Sequence, residues 1–255
     1  MKRILFFVFI ALMATSCVSL KKVKYLQDAE NYSKGDKTEF PNSHTTDYRV
    51  QPGDNLYIDV KSLDTKTSNP FLANQTMGYQ MSTEAGVYLN SYLVNDSGYI
   101  NFPVVGKVMV KGLTVNDVRD RLQKVVDEYF QFTTVTVKLV NFKISLLGEV
   151  ERPGTYQVYQ NSINVFQAIS LGGDLTNFAN RKKISVIRKT KDGSSIHTIN
   201  LLKSDILTSD AYYLQPDDIV YVEPMSNKNF TFEAFPYAIL FSTISTTLLI
   251  LNFLK

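Results

Sequence analysis

A single cysteine in 255 residues, at position 17, constrains this chain more than any other feature. With no second thiol an intramolecular disulfide is impossible, so anything that folds here rests on a hydrophobic core. The residues ahead of Cys17 read as a segment to be removed. Lys2 and Arg3 form a short basic region, Ile4 to Met13 an apolar run of ten residues, and Ala14-Thr15-Ser16 three small residues directly before the cysteine. Ten apolar residues cannot cross a hydrocarbon core ~30 Å thick as a helix, which predicts a secretory signal over 1–16.

A lone cysteine closing a small-residue cleavage site resembles a bacterial lipobox. Cleavage before Cys17, with lipid on its thiol and an acyl chain on its new amine, predicts a membrane-anchored exported protein. The 239 residues that remain suffice for one large or two small domains. Removing Lys2 and Arg3 leaves 25 basic against 24 acidic side chains and no long basic run, which argues against nucleic acid as a partner. Fifteen Tyr and 16 Phe without Trp suit a β-rich protein.

Residues 17–46 are polar and aperiodic and predict a tether, with part of it draped on the first folded unit. Order begins at Asp47. Tyr48–Val50 is a short strand, Gln51-Pro52-Gly53-Asp54 a turn and Leu56–Val60 an alternating strand. Lys61 to Glu84 is loop-like; Val87–Leu89 and Ser91–Val94 then lead into a turn at Asp96-Ser97-Gly98. Strands are predicted at Tyr99–Phe102 and Lys107–Val110. Thr114 and Asp117 form a capping box for a helix whose apolar stripe is Val115, Val118, Leu122, Val125, Val126 and Tyr129. Thr133–Leu139 alternates again.

A second unit starts near Phe142. Strands Ile144–Val150 and Thr155–Val158 flank Glu151-Arg152-Pro153-Gly154, where Pro-Gly predicts positive φ at Gly154. Ser162 is the expected cap of a short helix through Leu171, ended by Gly172-Gly173. Lys183–Lys189 and His197–Leu201 make a hairpin around Asp192-Gly193, and Gln215-Pro216-Asp217-Asp218 turns into Ile219–Val222. Two hairpins around one helix predict a small α+β unit of β-grasp type.

These residues resemble the outer-membrane polysaccharide export family, the Wza-type proteins of capsule and exopolysaccharide systems. Its export-domain marks are here Tyr48-Arg49-Val50-Gln51-Pro52-Gly53-Asp54-Asn55-Leu56, then Val94 to Gly106, then Val110-Lys111-Gly112-Leu113-Thr114. Its soluble-ligand-binding β-grasp (SLBB) marks are Gly148-Glu149-Val150 with Arg152-Pro153-Gly154-Thr155-Tyr156, Ala168-Ile169 with Gly172-Gly173, and Leu214 to Val222. The expected fold class is α+β: an export domain of mixed strands and one helix (47–141), a β-grasp domain (142–224) and one C-terminal transmembrane helix (235–254). The resemblance implies a homo-oligomeric ring, an octamer in the family, that conducts polysaccharide across the outer membrane. It also implies an inner-membrane chain-length or co-polymerase partner, often coupled to a tyrosine kinase, and no cofactor. It places the Arg152-Pro153-Gly154 hairpin near a subunit boundary. The best-known members carry two or more β-grasp units. This chain has room for one, which implies a shorter periplasmic column.

The segment Phe235 to Leu254 is apolar but holds five Ser and Thr hydroxyls. At 100° per residue Ser242, Ser245, Thr246 and Asn252 share one arc of ~120°, opposite Leu240, Phe241, Ile244, Leu248, Leu251 and Leu254. A plain anchor, a buried core helix and a helix lining a pore with its polar stripe all remain open, the last explaining both the apolarity and its interruption. Enzyme chemistry lacks its residues. The two histidines are His44 in the tether and His197 in a strand, Cys17 is assigned to lipid, and no H-E-x-x-H, G-x-S-x-G or P-loop occurs. Asp217-Asp218 and Asp54 read as turn residues, with Asp217 expected to cap its turn. The other reading, from a different class, is a doubly anchored periplasmic lipoprotein that binds a glycan without conducting it.

Overall fold

The computed structural model describes residues 23–28, 40, 48–62, 83–130, 132–226 and 237–253. The expected signal peptide, Cys17, most of the tether with His44, and most of the 61–84 loop lie outside them.

Two separate hydrophobic cores organise the chain. The first is built on β1 (Asn55–Ser62), whose alternation buries Leu56, Ile58 and Val60. Helix α1 (Glu84–Leu89) follows, capped by the Thr83 hydroxyl, so Val87–Leu89 are helical. Strand β2 (Tyr92–Leu93), the hairpin β3 (Tyr99–Phe102) and β4 (Gly106–Met109), helix α2 (Val115–Asp127) and β5 (Thr133–Leu139) complete the unit. The sheet order is β2-β1-β5, antiparallel throughout, with Val60 opposite Val135 and Ile58 opposite Val137.

The capping box of α2 forms as the sequence implies. The Thr114 hydroxyl accepts from the Asp117 N–H at 3.1 Å, and the Asp117 carboxylate accepts from the Thr114 N–H at 3.1 Å. Val118, Leu122 and Val126 are fully buried, each contributing about 2 kcal/mol of transfer free energy. Tyr129 falls outside the stripe. The helix ends at Asp127, where the N–H groups of both Tyr129 and Phe130 return to the Val126 carbonyl, and the ring is left exposed. Gln123 ties helix to sheet, accepting from the Val135 N–H at 2.9 Å and donating to the Thr133 carbonyl at 3.1 Å.

The second core comprises β6 (Lys143–Gly148), β7 (Gly154–Gln157), β8 (Ile163–Asn164), α3 (Val165–Leu171), β9 (Ala179–Thr190), β10 (Gly193–Ile199), a 3₁₀ turn at Ser204–Thr208, β11 (Tyr213–Leu214) and β12 (Ile219–Pro224). The five-stranded sheet runs β10-β9-β12-β6-β7. Only β12 with β6 is parallel; the other neighbours are antiparallel. Two hairpins with the last strand inserted between them is the β-grasp order. Helix α3 covers the sheet through Val165, Ala168 and Ile169.

Three local expectations are corrected. Asn164, not Ser162, caps α3, in a reciprocal box with Gln167, because pairing of β8 with β11 holds Ile163-Asn164 extended up to the helix start. Gly154 does not take positive φ; it opens β7. The 149–153 connection is no tight turn, since the Glu149 N–H bonds the Val222 carbonyl, the Arg152 N–H bonds the Gly172 carbonyl, and Val150 bridges Leu175. The positive φ belongs to Gly148 (+85°), where a Cβ would stand 2.1 Å from the Val222 carbonyl oxygen.

The third correction concerns Asp217. The two turns Gln51–Asp54 and Gln215–Asp218 have the same geometry, with positive φ at Gly53 (92°) and Asp217 (64°). In each, the final aspartate closes the turn: Asp54 Oδ2 accepts from the Gln51 N–H at 2.8 Å and Asp218 Oδ2 from the Gln215 N–H at 2.8 Å. Asp218 is therefore the capping carboxylate, and Asp217 supplies the left-handed backbone.

Candidate functional site

Three features stand out beyond the cores: an N-terminal strap, a groove at the junction of the two units, and the C-terminal helix. The strap is residues 23–28. It lies on the second unit, not the first, because its backbone bonds there: the Leu26 N–H bonds the Leu201 carbonyl at 3.0 Å and the Gln27 N–H the Leu202 carbonyl at 2.7 Å. Tyr25 and Leu26 pack on the second core, and Tyr25 meets Phe166 edge-on at 5.8 Å. The Tyr25 hydroxyl donates to Asp174 at 2.5 Å, and its ring lies 5.6 Å from the Arg181 guanidinium. Burial and the Asp174 carboxylate hold the Tyr25 phenol far above its usual range, so it stays a donor. Arg181 is itself buried, donates to the carbonyls of Leu175 and Thr176, and keeps an unpartnered Nε, so the Tyr25 ring is part of what compensates its charge.

Asp28 ends the strap by accepting from both the Ser204 hydroxyl and its N–H. The Ser204 hydroxyl, foremost, lowers the Asp28 pKa below its ordinary 3.8. A carboxylate whose folded pKa is depressed stabilises docking above the unfolded value and loses that contribution as pH falls through the folded one. The Asp28→Asn variant should therefore melt below the parent chain at pH 7, and the gap should close in acid, below the carboxylate range. A gap that widens in acid would contradict the docking geometry. Tyr25→Ala should cost about 1–3 kcal/mol from lost ring and hydrogen-bond contacts, with faster proteolysis at 23–28 as the readout.

A groove of about 840 Å³ runs between the units. One wall carries Tyr48, Tyr88 and Asn116, its floor is the 138–143 connection, and the facing wall is Gln157 to Asn161. The Tyr48 hydroxyl donates to Asp54 at 3.2 Å; burial and that carboxylate push the phenol well up, while burial raises Asp54. Gln157 donates to the Val140 carbonyl at 2.8 Å, and Asn141 Oδ1 accepts from the Asn55 N–H at 3.1 Å. The side-chain amides of Asn116, Gln160 and Asn161 carry no such bond within the described residues and are exposed.

The C-terminal segment forms α4 (Tyr237–Phe253), 17 residues long, with 238–253 exposed on every side. That is ~25 Å of helix against a ~30 Å hydrocarbon core. Among the described residues no helix is long and apolar enough to cross a membrane. The expected transmembrane helix is thus present as a helix but not as a full span; Phe235, Pro236 and Leu254 lie outside the described residues. Ser242, Ser245, Thr246 and Asn252 are all on α4 and exposed. Thr243 and Thr247 fall outside their arc, so polarity is only weakly segregated around the helix. The hydroxyls of Ser242, Thr243, Thr246 and Thr247 donate to the carbonyls of Ile239, Leu240, Ser242 and Thr243 at 2.7–2.9 Å.

The remaining sequence candidates stay apart. His197 sits on β10 with its Nε2 3.2 Å from the Ser195 hydroxyl and, among the described residues, no carboxylate bonded to it. Among the described residues no group of three His, Cys, Asp or Glu is placed to hold a metal ion. Sequence reasoning missed the strap's landing place and the groove. The repeated Gln-Pro-x-Asp was the readable sign of two matching turns.

Comparison with known proteins finds relatives of both units. Residues 42–140 match the family described as polysaccharide biosynthesis/export protein, and residues 142–222 match the SLBB domain. The chain is similar to the EPS I polysaccharide export outer membrane protein EpsA of Ralstonia solanacearum, with 26% identity over 190 residues, 70% of this chain and 48% of that one. It is also similar to the protein of the same name from Ralstonia nicotianae, with 26% identity over 158 residues, 58% of this chain and 39% of that one. The chain thus spans half or less of the length of these relatives. The chain thus joins a unit similar to the polysaccharide biosynthesis/export family to one similar to the SLBB domain, in that order.

Proposed function

We propose that this chain is a transport protein, not an enzyme: a subunit of a ring that conducts capsular polysaccharide or exopolysaccharide across the outer membrane. The observation that carries the reading is an export domain followed directly by an SLBB domain, in a chain similar to proteins named for polysaccharide export at the outer membrane. We take 1–16 as signal peptide, 17–46 as lipid-anchored tether, 47–141 as export domain, 142–224 as SLBB domain and 235–254 as membrane helix. An inner-membrane chain-length or co-polymerase protein, often tyrosine-kinase-coupled, is the partner this assignment implies.

The strap supports an orientation. Eight residue steps separate Cys17 from Tyr25, at most ~28 Å of extended chain. A lipid on Cys17 would therefore hold the SLBB unit beside the membrane, with the export domain farther into the periplasm. Helix α4, short for an average bilayer, suits the thinner outer membrane and a ring in which neighbouring helices complete the wall. The other reading, a periplasmic glycan-binding lipoprotein held at both ends, draws support from the weak segregation of polarity around α4, since a simple anchor needs no polar side.

Imaging the detergent-solubilised full chain separates the two: closed rings are expected, and monodisperse monomers would leave only the binding protein. Cys17→Ser should abolish lipid labelling and misplace the protein while its melting temperature is unchanged. One acyl chain alone anchors weakly, so the lipid and α4 act together. Unchanged labelling would remove the lipobox assignment.

A further inference from the structure

The export reading needs no saccharide site on the periplasmic body, yet the groove at the domain junction has the surface of one. We infer that it binds a short segment of the polysaccharide, resting on the function proposed above. A sugar ring presents an apolar C–H face and a rim of hydroxyls, each both donor and acceptor. The groove supplies the complement. Tyr88 and Tyr159 line it and are 57% and 77% exposed, two large aromatic surfaces in the lining. Beside them stand the exposed amides of Asn116, Gln160 and Asn161, each carrying donors and an acceptor and none bonded within the described residues.

Other occupants fit less well. The two lysines of the lining are Lys138 and Lys143, and the second lies 3.7 Å from Asp217, so the groove is no anion trap. A purely apolar ligand would strip water from three amides and return nothing. About 840 Å³ is near the top of the ~300–1,000 Å³ range of small-ligand pockets, which suits a run of sugar rings better than a single one. The walls come from both units, the Asn116 side from the export domain and the Gln157–Asn161 side from the SLBB domain, and the 138–143 connection between them forms the floor. A bound segment would therefore bridge the two units and bias the angle between them.

The test uses the polymer that cells display with the intact gene and lack when it is deleted. Oligosaccharides from its partial hydrolysis are titrated into the detergent-solubilised full chain by calorimetry, alongside the fully hydrolysed monosaccharides. Saturable binding of the oligosaccharides is expected, weakened about tenfold or more by Tyr159→Ala and by Asn116→Ala, with melting temperature and particle mass unchanged. The exposed Phe132, outside the groove, is the control, and Phe132→Ala should bind like the parent. Binding that ignores both groove variants, no binding, or binding of monosaccharides alone would overturn the inference while leaving export intact. Variants that lose subunit assembly but keep the affinity would reassign the groove to contact between copies. A deletion strain that still displays the polymer would remove the export reading and this inference with it.

Discussion

The Asp218→Ala variant is expected to lose about 3–5 kcal/mol of stability in the second unit, against the ~5–15 kcal/mol that holds a typical domain together. Asp218 is fully buried and closes the turn before β12 by accepting from the Gln215 N–H. Its carboxylate also takes a forked pair from Arg188: Nε lies 3.1 Å from Oδ1 and Nη2 lies 2.7 Å from Oδ2. Arg188 spends its other donors on the carbonyls of Tyr213 and Asp210, so one guanidinium joins β9, β11 and the start of β12. Alanine would leave an Arg side chain only 13% exposed with no counter-charge. The loss is that of an orphaned buried charge, not the net worth of the pair. The double variant Arg188→Met/Asp218→Leu should recover part of it, less the unmet Gln215 N–H. Urea unfolding of the full chain measures both; a single-variant loss below about 1 kcal/mol would mean that the pair is solvated.

Truncation at residue 236 is expected to abolish surface polysaccharide while the chain stays in the envelope through Cys17. Helix α4 is apolar around its circumference and packs on nothing within the described residues, a surface that lipid or other subunits could cover. The hydroxyls of Ser242, Thr243, Thr246 and Thr247 are met by their own backbone and can face lipid cheaply. The pore reading therefore depends on which side meets water, and that is measurable. Cys17 is the chain's one cysteine, so single engineered thiols along α4 are unambiguous once the native one is acylated. Thiols at 242, 245, 246 and 252 should react with a water-soluble reagent, and those at 241, 244, 248 and 251 should not. Arg at a lipid-facing position should cost ~2–4 kcal/mol and at Ser245 much less. Uniform protection, with export surviving truncation, would make α4 an anchor and place the pore elsewhere.

The Thr114–Asp117 box, the hairpin around Asp192-Gly193 and the alternation of β1 and β5 could all be read in advance from the sequence. Each depends on residues within about four positions of one another, and local sterics and capping settle such choices before any distant contact forms. The β-grasp unit was legible for a related reason: two hairpins and one helix leave few ways to build a single sheet. The groove was not legible, because its two walls come from separate units and its exposed tyrosines and amides carry no periodic signal.

The sequence by itself thus determined most of the elements, their order and the resemblance they carry. The tertiary structure decided which distant segments meet. Asp28 meets Ser204 across 176 positions and Asp218 meets Arg188 across 30, contacts for which no local pattern selects. Gly148, not Gly154, carries the left-handed turn because β12 approaches it to within a carbonyl's reach, and Asn164, not Ser162, caps α3 because β11 holds it extended. In each case packing against a remote strand chose between local alternatives.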